Sequence, residues 1–303
     1  MMHHLWTSPM RVASRMPFRR QLHQLPPIAS EVEQGCSPFL SKRTTNLLWT
    51  QWQAGLLQRL NEETKGTTLA SESVVDTVIA TARDRSQVLA FNYASLALNN
   101  SFFLHGLLPK DKQPNPEYPQ PSTHTGTIPT FYGKTLASAI ADQYGSLPQL
   151  KLAFASAAMG SVNNGFVWLV KDEHGRLGII PTYGAGTILV QQRRQTGPRD
   201  LTAGIQDGRM SAESSTEPQN HSDSSKDSTK DAAPRHSTRF DSLAQSSATG
   251  AIGNHIYPLF CVSMFEHAWL GDYGFWGKER YLTNFFDCIH WERAEQLWGE
   301  DRV

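Results

Sequence analysis

Apolar residues recur at three- and four-residue steps from about Ser41 to Asn61, where Leu47, Leu48, Trp52, Leu56, Leu57 and Leu60 would share one side of a helix. Gly66 to Ser73 is a mostly polar break, and Ser71 or Ser73 stands where a hydroxyl would cap a second helical segment carrying Val75, Ile79 and Ala82. A third segment runs from about Ser86 through Leu107, with Val88, Phe91, Ala94, Leu98, Phe102 and Leu104. Long helices joined by a short break predict an antiparallel α-hairpin over residues 25–108. Six prolines between Pro109 and Pro129 predict an extended linker.

Residues 130–303 read as a second, α/β domain. Thr135 to Tyr144 and Ser146 to Met159 are amphipathic helices, the second ended by Gly160 and the Asn163-Asn164-Gly165 turn. The period then switches to that of strands. Phe166 to Val170, a turn at Asp172 to Gly175, and Leu177 to Tyr183 predict a hairpin. From Gln195 to about Gly253 the chain is dominated by Ser, Thr, Asp, Gly, Lys and Gln, too polar to offset the entropy of ordering, which predicts a disordered insertion. The apolar run Ile256 to Phe265 resumes at once as a buried strand, so the insertion is expected to separate two neighbouring strands. That strand would deliver Glu266 and His267 into an aromatic setting. Lys278 to Trp298 supplies one or two closing helices, with Tyr281, Leu282, Phe285, Phe286, Ile289 and Trp291 on the apolar side.

Composition narrows the function. The 28 acidic and 28 basic residues cancel, which argues against broad coating of nucleic-acid phosphates. Cys36, Cys261 and Cys288 have no metal-type spacing and fit a reducing compartment, with Cys261 and Cys288 as small core hydrophobes. No Asp or Glu precedes Glu31, whereas Arg11, Arg15, Arg19 and Arg20 are spaced among Ser, Met, Phe and Leu. An acid-poor, Arg-rich segment of this kind predicts a mitochondrial presequence over residues 1–24 and delivery to the matrix. No apolar run approaches the roughly 20 residues of a membrane span.

Three stretches then carry a family resemblance. Phe91-Asn92-Tyr93-Ala94 through Asn99-Asn100-Ser101-Phe102-Phe103 resembles Phe-Asn-x-Ala-x-x-x-x-Asn-His-x-Phe of the iron/manganese superoxide dismutases. Gly145-Ser146 through Lys151, with Phe166 to Val170, is similar to that family's Gly-Ser-x-x-x-Phe-Lys and Gly-Trp-x-Trp-Leu. Ser263 to Trp269 resembles its Asp-x-Trp-Glu-His-Ala-Tyr, followed by the late Tyr281-Leu282, Ile289 and Trp291-Glu292 positions. The resemblance implies an α+β fold in which an α-hairpin precedes a small, about three-stranded antiparallel sheet flanked by helices. It also implies a place for a metal held by three His and one Asp. Here those positions fall on Leu48, Asn100 and Ser263, and only His267 is unchanged. Trp52 and Leu56 fall on a supporting His and a gateway Tyr, and the solvent-tuning Gln falls on Ala185 or Leu96. His105 is five residues beyond Asn100, a helical rotation of roughly 140° away. One imidazole and one hydroxyl are too few donors for a redox metal, so no metal, no cofactor and no catalytic residue is expected.

Within this fold the chain is similar to the non-catalytic dismutase-like proteins of the fungal mitochondrial small ribosomal subunit. The implied role is structural: a subunit that pairs with a homologous dismutase-like chain, touches other small-subunit proteins, makes at most limited rRNA contact and meets no membrane. In the dismutases the Glu-His pair works across the two-fold interface, which makes Glu266 and His267 the expected interface residues. The alternative is an active mitochondrial iron/manganese superoxide dismutase with an atypical site.

Overall fold

The computed structural model describes residues 23–113, 121, 129–190, 193 and 255–300. The predicted insertion over 195–253 lies outside the described residues, as do nearly all of the predicted presequence and most of the Pro-rich linker.

After a single turn, α1 (Ser30–Glu33), the hairpin opens with α2 (Lys42–Asn46). The Ser41 hydroxyl caps α2 by accepting the Thr44 N–H. A π-helical stretch, Leu47–Gln53, joins α2 to α3 (Ala54–Glu63), so the one helix expected from Ser41 to Asn61 is continuous but widened in its middle. Ser73, not Ser71, caps α4 (Val74–Thr81) by accepting the Asp76 N–H, while Ser71 closes a 3-10 turn. The long α5 (Val88–His105) packs against α3, α4 and the sheet. It is covered on several sides, and its buried set therefore includes Ser95, Asn99 and Asn100 as well as Phe91, Ala94 and Phe103. The first residues of the expected linker are docked rather than free. Leu108 N–H donates to the Cys288 carbonyl, Lys110–Lys112 forms a 3-10 turn, and Gln113 Nε2 donates to the Ile289 carbonyl at 2.8 Å.

Beyond residue 129, Thr135 and Ser146 cap α6 (Leu136–Tyr144) and α7 (Leu147–Gly160). Strands β1 (Gly165–Asp172), β2 (Leu177–Tyr183) and β3 (Ile256–Ser263) form one antiparallel sheet in the order β2-β1-β3. Contrary to expectation, the strands flanking the insertion are not neighbours. The tight turn at Gly175 (φ +74°) folds β2 back on one edge of β1, which leaves only the other edge for β3. As the middle strand, β1 is buried along its whole length.

The predicted strand Ile256 to Phe265 is shorter than expected. Its pairing stops at Ser263 opposite Phe166, because β1 begins at Gly165 and offers no further partner. Met264 makes a last bond to the Gly165 carbonyl, and the chain turns at Phe265 into α8 (Glu266–Tyr273). Glu266 and His267 thus sit on the first turn of a helix, with the carboxylate at the end where negative charge is favoured. Helices α9 (Lys278–Asp287) and α10 (Trp291–Gly299) follow. Phe154, Phe260, Phe285, Phe286 and Trp291 interlock between α7, the sheet and these helices, with ring centroids 5.5–6.0 Å apart. All three cysteines are free and buried, and the Cys288 thiol donates to the Ser37 carbonyl at 3.4 Å.

Candidate functional site

The place that the dismutase resemblance marks lies where the π-helical stretch, α5 and the start of α8 meet. A π turn widens a helix and is often found where it lines a site. Here the widened turn brings Leu48 and Gln53 to α5 and Trp52 to the start of α8. Leu48 is fully buried, and Asn100 and Ser263 are each 1% exposed.

Asn100 is tied into the core through its amide N–H groups. Its side-chain Nδ2 donates to the Leu48 carbonyl at 3.0 Å and to Gln53 Oε1 at 2.8 Å. Gln53 Nε2 in turn donates to the Ala97 carbonyl at 2.9 Å. Two buried amides therefore form a chain that ties the π stretch to α5, with both Asn100 N–H groups and one of Gln53 given to protein acceptors. Next to it, Ser95 Oγ donates to the Ala185 carbonyl at 2.7 Å and Asn99 Nδ2 to the Gly186 carbonyl at 2.9 Å, which fastens the loop after β2 to the same helix. What the place receives from Ala185 is thus a backbone carbonyl already engaged. Leu96 is half-buried against apolar neighbours.

Gln53 was not among the residues expected here. A signal for it exists in the sequence: it stands four residues after Trp49 and four before Leu57, a polar side chain on an otherwise apolar stripe. A side chain buried at such a position must find partners, and Asn100 and Ala97 supply them.

The two remaining positions belong to β3 and α8. The Ser263 carbonyl accepts the buried Tyr281 hydroxyl at 2.8 Å, which pins the end of β3 to α9. The His267 ring is half-buried, 4.6 Å from the Trp52 ring and 5.2 Å from Phe265 (centroid to centroid). Burial lowers its pKa below the ordinary imidazole value, so the neutral form is favoured. Glu266 beside it is exposed. The structure thus brings Leu48 to Asn100 and Trp52 to His267. His105 is turned elsewhere, with Nδ1 on the Ser101 carbonyl and Nε2 on the Pro27 carbonyl.

As a donor set for iron or manganese these residues do not fit. An aliphatic side chain, a neutral amide and a neutral hydroxyl leave one imidazole where three or four good donors are needed. Among the described residues no group of three or more His, Cys, Asp or Glu side chains is placed to hold a metal ion. What the arrangement does is hold two helices and a strand end together, with an imidazole and a carboxylate presented at its rim.

Comparison with known proteins gives this geometry its relatives. The model of the C-terminal domain of iron/manganese superoxide dismutases matches residues 132–198 and 235–297. Across 285 residues the chain is 23% identical to small ribosomal subunit protein mS43 of Schizosaccharomyces pombe, covering 93% of this chain and 86% of that protein. It is 24% identical to small ribosomal subunit protein mS42 of the same organism over 229 residues, 75% of this chain and 74% of that one. An iron superoxide dismutase of Salmonella typhimurium is 29% identical over 163 residues, 54% of this chain and 73% of the enzyme.

Proposed function

From the premise that this is an iron/manganese superoxide dismutase-like chain similar to two small-subunit ribosomal proteins, we propose that it is a structural constituent of the mitochondrial small ribosomal subunit. The observation that carries the reading is a likeness to mS43 that runs through 93% of the chain, while the dismutase likeness covers about half. The donor chemistry supports it: Leu48, Asn100 and Ser263 stand at the ligand positions, and Asn100 is already committed to Leu48 and Gln53. On this reading the protein is not an enzyme, and its fold serves protein–protein contact in translation.

The partner is a homologous dismutase-like chain, joined at the exposed Glu266 and half-buried His267, with other small-subunit proteins around the pair. Contact with rRNA is local, since the 28 basic and 28 acidic residues leave no net charge to follow a phosphate backbone. The compartment is the mitochondrial matrix, supported by the Arg-rich, acid-free residues before Glu31. Among the described residues no helix is long and apolar enough to cross a membrane. Sedimentation of a mitochondrial lysate tests the proposal. The chain should travel with the small subunit, and a chain that remains near the top of the gradient as a free dimer contradicts it.

An active superoxide dismutase is the second reading, favoured by the 29% identity to the iron enzyme. It requires metal donors other than the residues at the four matched positions.

A further inference from the structure

Cys36 and Cys288 stand 252 positions apart in the chain, yet the fold brings their thiols together. Cys36 opens the turn that leads into α2, where its N–H donates to the Leu40 carbonyl at 2.8 Å. Cys288 caps the end of α9. Its sulfur lies 3.5 Å from the Cys36 carbonyl and 3.4 Å from the Ser37 carbonyl, and it accepts the Cys36 S–H. Residues just past α5 close the third side. Leu108 N–H donates to the Cys288 carbonyl at 2.9 Å, and Lys110 N–H donates to the Ser37 carbonyl at 3.2 Å. Both cysteines are fully buried. Cys261 lies apart from them in β3, where burial alone raises its pKa.

The paired thiols are not equivalent. The Cys36 S–H, aided by the Phe39 and Lys110 main-chain N–H groups, holds the Cys288 pKa below the ordinary thiol value against the opposing effect of burial. The Cys36 thiol is pushed up, first by its bond to Cys288 and then by burial. Cys288 is therefore the sulfur that ionises first, and Cys36 stands in place to resolve what forms on it.

We propose that Cys36 and Cys288 form a reversible redox latch, in which hydrogen peroxide converts the adjacent thiols to a disulfide joining the 36–40 turn to the end of α9. The Cys288 thiolate attacks one peroxide oxygen: an S–O bond forms, the O–O bond breaks, and the departing hydroxide takes up the proton Cys288 released. The Cys36 sulfur then attacks Cys288: the S–S bond forms, the S–O bond breaks, and the oxygen leaves as water with the Cys36 proton. Two thiols lose two electrons, and one peroxide becomes two waters. Small thiols reopen the latch by exchange. Because both sulfurs are sealed from solvent, peroxide reaches them when the 36–40 turn opens locally, and the closed latch then holds that turn to the body. The inference is independent of whether the chain is ribosomal.

Peptide mapping tests it. The full-length protein, purified under reductant and desalted, is exposed to hydrogen peroxide, its remaining thiols are blocked, and its peptides are weighed without reduction. A peptide pair joined through Cys36 and Cys288, lighter by two hydrogens and released by dithiothreitol, is expected, with Cys261 still a thiol. In Cys36→Ser the linked pair should be lost, and dimedone should label Cys288 as a sulfenic acid. Recovery of both Cys36 and Cys288 as thiols in the unaltered chain overturns the proposal. So does a link that forms only in the urea-unfolded chain, or one made to Cys261.

Discussion

The buried junction around Asn100 and the rim at Glu266-His267 both lie where the dismutase resemblance marks a site, yet their polar atoms are treated in opposite ways. At the junction, the Asn100 and Gln53 amides are spent on Leu48, on Ala97 and on each other, at 2.8–3.0 Å and out of water. At the rim, Glu266 is exposed and His267 rests half-buried on the Trp52 and Phe265 rings. A core must satisfy its polar groups internally or lose stability. A surface kept for a partner does best with polar groups that still have bonds to make. The interior polar groups serve the fold, whereas the rim carboxylate and imidazole keep bonding capacity of the kind the proposed pairing requires.

The largest expected effect comes from breaking the junction. Asn100→Leu keeps much of the volume but strands the Leu48 carbonyl and Gln53 Oε1 in the core, which should cost about 2–4 kcal/mol in urea unfolding. Adding Gln53→Leu should cost less than the sum of the two single changes, because one orphaned acceptor disappears with its residue. Strict additivity would show that the two amides do not act as one unit.

The rim responds differently. His267→Ala should weaken association with the homologous subunit about tenfold, roughly 1.4 kcal/mol, while unfolding of the isolated chain changes by less than that. Equal affinity of the two forms, measured by titration calorimetry, would remove His267 from the interface.

A smaller effect separates the two regions by pH. Burial lowers the pKa values of His267, His23 and His290 in the folded chain below the unfolded value of about 6.5. Above that pH both states are neutral and the full stability is present. As pH falls from about 6.5 through the lowered folded values, the unfolded chain binds protons that the folded one does not, and stability is lost. Urea midpoints should therefore drop between pH 7.5 and 5.5, and His267→Ala should flatten part of that drop. The amide junction has no titrating group and should contribute nothing. Least of all should follow from removing Gln195 to Gly253, whose composition carries no core; a thermal midpoint lowered by more than a few degrees would contradict that.

Much of this architecture could be read from residue order because its signals are local. Ser41, Ser73, Thr135 and Ser146 precede apolar-periodic segments, and each caps a helix. The alternation from Phe166 to Tyr183 around Gly175 is a hairpin. What escaped reading depends on partners distant in sequence. The end of β3 at Ser263 is set by where β1 begins, about a hundred residues earlier, so Glu266-His267, expected at the end of a strand, lies on the first turn of a helix. Gln53 was overlooked because its partners, Asn100 and Ala97, come from another helix. The docking of residues 107–113 depends on Cys288 and Ile289, which no local pattern announces.

This chain has a dismutase-like shell in which Leu48, Asn100 and Gln53 fill the place the resemblance marks for a metal. Elemental analysis of the purified full-length protein by plasma mass spectrometry tests it most directly. Far less than one iron or manganese per chain is expected, with no dismutation of superoxide. About one such ion per chain, together with dismutase activity, would contradict it.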